Sequence, residues 1–162
     1  MKSIVCGAIL ALLSLSLFGA TRTWTGTADA NWNNPANWGG AAPVAGDDLL
    51  FPGGAANPSN TNNFPPGTAF RSLTLSGGTY TLNGNLITLG AGGIVTAGGV
   101  SIHTINLPIT LGAPQTWQLI DPSGTIETTA DSTFGRGQKT VGGRVRTIET
   151  SARAWTRTES AP

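Results

Sequence analysis

A five-residue motif that occurs twice in the middle of the chain constrains its fold more than any other feature. The sequence Ile-Thr-Leu-Gly-Ala at residues 87–91 recurs unchanged at residues 109–113, an offset of 22 residues. A repeat of this length is typical of a parallel β-solenoid, in which successive coils of the chain stack at about 4.8 Å and equivalent side chains line up. The motif therefore predicts stacked strands.

Short strands separated by glycine pairs surround this motif. Leu73 and Leu75 share one face of a predicted strand, Tyr80 and Leu82 share one face of the next, and Gly77-Gly78 forms the turn between them. Helix is implausible here because glycine and β-branched residues are both poor helix formers. The fold class that follows is all-β.

The offset of 22 residues extends beyond the motif itself. It pairs Tyr80 with Ile102 and Val95 with Trp117, so we expect the stacked residues to face the interior together. The prediction is a short parallel β-solenoid (β-helix) over residues 70–120. An antiparallel β-sandwich stays open as the alternative, because glycine- and threonine-rich strands also build such folds.

The first 20 residues have the three-part layout of a secretory signal peptide. Lys2 supplies a positive charge, Ile4–Phe18 is an almost uninterrupted apolar run, and Gly19-Ala20 are small residues before a polar stretch. We expect cleavage after Ala20 and export to the outer cell surface or the extracellular space. No later apolar run reaches the roughly 18 residues that a spanning helix needs, so no membrane span is expected in the mature chain.

Charge is scarce and concentrated at the C-terminal end. The formal net charge of the 162 residues is +1, and 11 of the 17 charged residues lie in residues 121–162, which we predict to be a charged, disordered or aberrant tail. The sequence contains no cluster of Lys or Arg that would indicate nucleic acid as a partner.

Residues 21–69 are rich in Asn, Gly and Pro, and the prediction there is an N-terminal cap and turn-rich segment.

Several motifs between residues 22 and 120 resemble a known family. They are Thr23-Trp24-Thr25-Gly26, Ala30-Asn31-Trp32, Ala36-Asn37-Trp38, Gly46-Asp47-Asp48, Leu50-Phe51, Leu73-Thr74-Leu75-Ser76-Gly77-Gly78 and Ile87-Thr88-Leu89-Gly90. Together they resemble the N-terminal portion of large exported bacterial proteins with autotransporter-associated β-strand repeats. The resemblance implies a passenger-type, right-handed β-solenoid that starts with a tryptophan-containing cap. The charged tail departs from that pattern, which suggests a truncated or frame-shifted reading frame.

Three tryptophans near the start of the mature chain, Trp24, Trp32 and Trp38, are the candidate ligand-binding residues. Exposed indole faces would stack on sugar rings, with neighbouring Asn side chains on the hydroxyls. The competing interpretation, which we favour, is that the indoles cover the open end of the first coil and shield its apolar interior.

A metal site is not expected. Asp29, Asn31 and Asn33 reproduce the opening of a calcium loop, but Asn34 stands at the sixth position, where Gly is required, and Gly40 stands at the twelfth, where Glu is required. Adjacent acidic residues at Asp47-Asp48 could bind a hard cation, although such pairs before a strand are more often solvated or capping. We predict neither a metal nor any other cofactor.

Catalysis is also not expected. His103 is the only histidine, strand alternation places it outward, and no acid lies near it in sequence to orient the ring. Between residues 70 and 120 there is no Asp or Glu, and Arg71 is the only basic residue apart from this histidine. A polysaccharide-acting β-helix enzyme would need clustered acids on one face of successive coils.

The function predicted from the sequence is therefore structural or adhesive. We expect an extracellular or cell-surface protein without catalytic activity, whose partners are surface glycans or other cells. A carbohydrate-binding module that uses Trp24, Trp32 and Trp38 is the alternative. An enzyme acting on polysaccharide comes third.

Overall fold

Short strands make up almost all of the regular structure. The computed structural model describes residues 19–99, 102–119, 125–128, 139–142 and 144–147, so the predicted signal peptide lies almost wholly outside the described residues. A 3-10 helix, Pro35–Trp38, stands between the first two strands. The strands are β1 (Thr21–Thr23), β2 (Asp48–Pro52), β3 (Ser59–Asn62), β4 (Thr68–Ser76), β5 (Thr81–Gly84), β6 (Ile87–Ala97), β7 (Ile102–Ile105), β8 (Ile109–Leu111), β9 (Gln115–Leu119), β10 (Thr125–Thr128), β11 (Lys139–Gly142) and β12 (Arg144–Thr147).

All strand pairings in the described part of the chain are parallel. The first sheet runs in the order β1-β2-β4-β6-β9-β11, with β8 also paired to β6, and the second sheet runs β12-β10-β7-β5-β3. The chain alternates between the two sheets as it advances, which is the construction of a β-solenoid. The predicted fold class is thus confirmed, and the antiparallel sandwich is not the fold of this chain.

Register along the solenoid is close to the predicted repeat but not uniform. Residues 87–89 pair with residues 109–111, which confirms the offset of 22 for the motif. Thr81, however, pairs with Thr104, an offset of 23. The offset therefore changes within one coil: it is 23 where β5 pairs with β7, returns to 22 where β6 pairs with β8, and is 23 again where β6 pairs with β9. A one-residue shift moves side chains to the opposite face of a strand.

Two predicted inward pairs are wrong because the offset at those positions is 23 and not 22. Tyr80 stacks on His103 rather than on Ile102, and Ile102 is 50% exposed. Val95 pairs with Gln118 rather than with Trp117, which is itself buried. In β4 the prediction is confirmed, because Leu73 and Leu75, which were expected to share one face, are both fully buried.

Aliphatic and aromatic side chains form columns inside the coil. Leu49 of β2 is in register with Leu73 of β4, which is in register with Ile94 of β6, and all three are buried. Phe70 and Leu89 stack in the same way in a second column. Burying a side chain of this size stabilises a fold by about 1.5–3 kcal/mol. These columns are therefore a main source of the stability of the solenoid.

Stacked glycines make the corners between the sheets. Gly77 and Gly98 have positive φ angles of 76° and 86°, which residues with side chains rarely adopt. They also lie against each other, because a Cβ atom built on Gly98 would meet the Gly77 nitrogen at 3.1 Å. The glycine pairs noted in the sequence therefore serve backbone-to-backbone stacking as well as turn formation.

The coils extend beyond the predicted limits at both ends. Strands β1, β2 and β3 lie within the segment expected to be a cap, so residues 21–69 combine the cap with stacked strands. In the predicted tail, β10, β11 and β12 continue both sheets. Charged residues in the tail had obscured the alternation of strand-forming residues such as Ile126, Val141 and Val145. The other residues of the tail lie outside the described part.

No helix among the described residues has both the length and the apolar character needed to cross a membrane.

Candidate functional site

The three candidate tryptophans form one buried cluster at the N-terminal end of the solenoid. Trp24 follows β1, Trp32 follows an isolated parallel bridge between Asn31 and Thr61, and Trp38 ends the 3-10 helix. All three side chains are at most 5% exposed. The chain therefore brings these side chains together, but turns them inward.

Phe51 of β2 is the centre of this cluster. Its ring centroid lies 6.0 Å from that of Trp24, 5.3 Å from that of Trp32 and 5.6 Å from that of Trp38. Trp24 and Trp38 meet edge to face at 5.0 Å. Such aromatic contacts are worth about 0.5–1.5 kcal/mol each beyond the area that they bury. The cluster closes the interior of the first coils.

Each indole N–H of the cluster is bonded within the protein. Trp24 donates to the Asn57 carbonyl at 2.9 Å, Trp32 donates to Oδ1 of Asn60 at 2.7 Å, and Trp38 donates to the Trp32 carbonyl at 2.7 Å. A sugar ring has access neither to the buried faces nor to these N–H groups. The packing favours the interpretation of a hydrophobic cap and counts against a sugar platform built from these residues.

The candidate calcium loop is a turn whose carboxylate is already satisfied. Oδ1 of Asp29 accepts from the Asn31 N–H and from Nδ2 of Asn37, both at 2.7 Å, and Oδ2 accepts from Nδ2 of Asn34 at 2.9 Å. These bonds, led by that from Asn34, lower the pKa of Asp29 to about 2. Asn33 instead bonds to Asn63. Donors therefore occupy the oxygens that a cation would need.

Asp47 and Asp48 are each paired with an arginine from a neighbouring coil. Oδ2 of Asp47 lies 2.9 Å from Nε of Arg22, and Oδ2 of Asp48 accepts from Nε of Arg71 at 3.0 Å. Burial alone would raise the pKa of Asp47, but hydrogen bonds from Val44 and Arg22 outweigh that effect and lower it. In the described part of the chain, no group of three or more potential metal-ligating residues lies together.

His103 is buried, which contradicts the prediction that it faces outward. Its side chain is 1% exposed and stacks on Tyr80 with the ring centroids 6.2 Å apart. Nδ1 accepts from the Tyr80 N–H at 3.3 Å, whereas Nε2 has no hydrogen-bond partner among the described residues. Burial lowers the pKa of His103 to about 4, so the ring is neutral at physiological pH.

The outward side of the second sheet carries a regular set of uncharged polar side chains. In register, Ser59 lies beside Thr81, and Thr81 lies beside Thr104. One column further along the strands, Thr61 lies beside Asn83. We call this surface the polar face; its residues are Ser59, Thr61, Thr81, Asn83, Thr104 and Asn106, all at least partly exposed.

Asparagine side chains tie the coils of the polar face together. Nδ2 of Asn106 donates to Oδ1 of Asn83 at 2.8 Å, and Nδ2 of Asn83 donates to the Asn60 carbonyl at 3.2 Å. A second link runs from Nδ2 of Asn62 to the Asn85 carbonyl at 2.7 Å. These links were not among the features predicted from the sequence. Their signal was a repeated Asn spacing of 23 residues.

No protein-family model matches the chain, and searches of curated proteins and of solved structures found no similar protein.

Proposed function

We propose that this chain is an exported structural or adhesive protein of the passenger type, located extracellularly or on the outer cell surface and without catalytic activity. The observation that carries the proposal is the polar face, where each successive coil repeats hydroxyl or amide groups at the spacing of a β-ladder. Repetition in register suits contact with an extended partner that itself repeats.

Rigidity of the polar face supports this role. Each coil is held by backbone ladders on both sheets, and Asn83 is bonded to the coils on both sides. The face is therefore preorganised, and binding would cost little conformational entropy. A rigid scaffold is what a surface protein needs to present many weak contacts at once.

The chemistry of the face favours uncharged, hydroxyl-rich partners, and we propose cell-surface polysaccharide as the class. Thr and Ser hydroxyls donate and accept, and Asn amides do the same, as sugar hydroxyls require. None of the six side chains of the face is charged. Attachment would then depend little on salt, unlike binding to a nucleic acid.

The apolar leader and the resemblance to exported proteins with autotransporter-associated β-strand repeats support export and display. The resemblance rests on the tryptophan motifs of the first coils and on the glycine-separated strands. The stacked parallel coils are compatible with that class of protein. Membership of the family, with its right-handed coil, remains part of the proposal.

A binding assay with a matched control tests the proposed role. Thr81→Lys with Thr104→Lys places two charges on the polar face, and Thr88→Lys with Thr110→Lys places two charges on an equivalent in-register pair of the first sheet. Binding to bacterial cells and to immobilised surface polysaccharides is measured for both proteins. We expect the first pair to weaken binding at least tenfold and the second to leave it unchanged.

Three results would overturn the proposal. One is equal weakening by both pairs, and another is no binding of the unmodified chain to any cell or polysaccharide. The third is release of reducing sugar from those polysaccharides, which would identify an enzyme. A leader that fails to export a fused reporter would remove the proposed location.

A further inference from the structure

The residues at the predicted cleavage site are part of the folded coil. The backbone N–H of Ala20 donates to Oδ1 of Asp47 at 2.8 Å, and the carbonyl of Ala20 accepts from the Asp48 N–H at 2.9 Å. The second of these bonds belongs to the first residue pair of β1 with β2, Thr21 and Asp48. Cleavage after Ala20, as the sequence suggests, would remove both bonds.

Neither the expected cleavage site after Ala20 nor the neighbouring site after Gly19 fits the signal-peptide pattern fully. Cleavage after Ala20 leaves a small residue before the cut and Phe18 two positions earlier, and cleavage after Gly19 leaves a small residue with Leu17 two positions earlier. Both sites combine one favourable residue with one bulky residue. The contacts of the folded chain, in contrast, distinguish the two mature chains that these cleavages would give.

Asp47 is placed to receive a positive charge at Ala20. Its side chain is almost fully buried, one oxygen is held by Arg22 at 2.9 Å and by the Val44 N–H at 3.0 Å, and the other oxygen accepts from Ala20. A free amino group at the Ala20 nitrogen would keep the 2.8 Å contact and turn it into a charge-assisted hydrogen bond. The carboxylate would then lie between two cations.

Gly19 and Ala20 differ in what their removal would cost the folded chain. A Cβ atom at position 19 would meet the Gly46 carbonyl oxygen at 1.8 Å, so only glycine fits there if the chain continues toward its amino end. Loss of Gly19 costs none of the hydrogen bonds of the described residues. Loss of Ala20 costs two.

From this geometry we infer that the leader is removed after Gly19, and that the ammonium group of the new N-terminus at Ala20 is bound by Asp47. Hydrolysis breaks the Gly19–Ala20 peptide bond, and water supplies the hydroxyl of the leader's new carboxylate and the hydrogen of the new amine. The inference rests on the proposed export. It makes Asp47 an anchoring site for the mature N-terminus.

The full chain, expressed in a secreting bacterium and recovered from outside the cytoplasm, gives the first test. N-terminal sequencing and intact mass should both show a chain that begins with Ala20-Thr21. A start at Thr21 or at any other position would overturn the inference while leaving export intact. Recovery of only the uncleaved chain outside the cytoplasm would overturn this inference while leaving export intact, whereas retention of the whole chain in the cytoplasm would overturn both.

Reactivity of the terminal amine gives a second test that does not depend on secretion. In a folded chain beginning at Ala20, the amine should react with an acylating reagent at pH 8 at least tenfold more slowly than in the same chain unfolded in urea, because Asp47 keeps it protonated and covered. Equal rates would contradict the inference. A chain beginning at Thr21 is the matched control: it should show no such protection, and it should melt about 5 °C lower.

Discussion

His103 should make the stability of this protein depend on pH in a window where few other groups titrate. The ring is buried against Tyr80, and its Nε2 has no partner among the described residues. Burial lowers the pKa from 6.5 to about 4 in the folded chain. Between these two values the unfolded chain therefore binds more protons than the folded chain, and stability must fall as the pH falls.

The size of the effect follows from the shift. One pKa unit corresponds to about 1.4 kcal/mol, so full protonation of His103 removes about 3 kcal/mol of the free energy of unfolding. Linkage places about 2 kcal/mol of that loss between pH 7 and pH 5. Above about pH 6.5 the protonation of His103 takes little from the free energy of unfolding. The carboxylates of Asp29 and Asp47 have lowered pKa values and contribute little in this window.

Urea unfolding at pH 7 and pH 5 measures this loss directly. His103→Asn is the matched variant, because its side-chain oxygen can still accept from the Tyr80 N–H although the residue does not titrate in this window. We expect the unmodified chain to lose about 2 kcal/mol and the variant to lose less than about 0.5 kcal/mol between the two pH values. Equal losses in both proteins, or no loss in either, would refute the reasoning.

Three further predictions concern the corners and the aromatic cluster. Gly98→Ala should lower the free energy of unfolding by about 1 kcal/mol more than Gly54→Ala does. Both glycines have φ angles near 85°, but of the two only Gly98 lies against another backbone segment. Equal losses in thermal unfolding would contradict the stacking of the corners. A double-mutant cycle of Trp32→Phe and Asn60→Leu should give a coupling energy of about 1–2 kcal/mol from their buried hydrogen bond, and additive effects would argue against that bond. In a Trp155→Phe background, acrylamide should barely quench the tryptophan fluorescence, and added polysaccharides should leave it unchanged, because the indoles of the cluster are buried. Strong quenching would show that indole faces are exposed.

Sequence reasoning predicted the kind of fold because stacking leaves a local signal. The motif at residues 87–91 returns after 22 residues, and the glycine pair at 77–78 marks a corner, so both the strand direction and the turn could be anticipated. The absolute register of the strands could not be anticipated. The offset alternates between 22 and 23 from strand to strand, so a strict count of 22 places Ile102 rather than His103 in the interior.

The candidate site was harder to predict because burial decides what a residue can do. Trp24, Trp32 and Trp38 could be read either as a platform or as a cap, and only the fold shows that Phe51 lies among them. The two arginine–aspartate pairs join residues that lie 25 and 23 positions apart. Such pairs follow from the stacking of coils and are invisible until the register is known.

Distances between spin labels test the stacked-coil structure most directly. In a chain that lacks Cys6, nitroxides at Thr81→Cys and Thr104→Cys lie on adjacent coils, whereas nitroxides at Thr74→Cys and Thr81→Cys lie on different sheets. We expect strong dipolar broadening for the first pair and much weaker broadening for the second. A hairpin turning at residues 77–78 would bring Thr74 beside Thr81, so broadening of the second pair alone would contradict the β-solenoid.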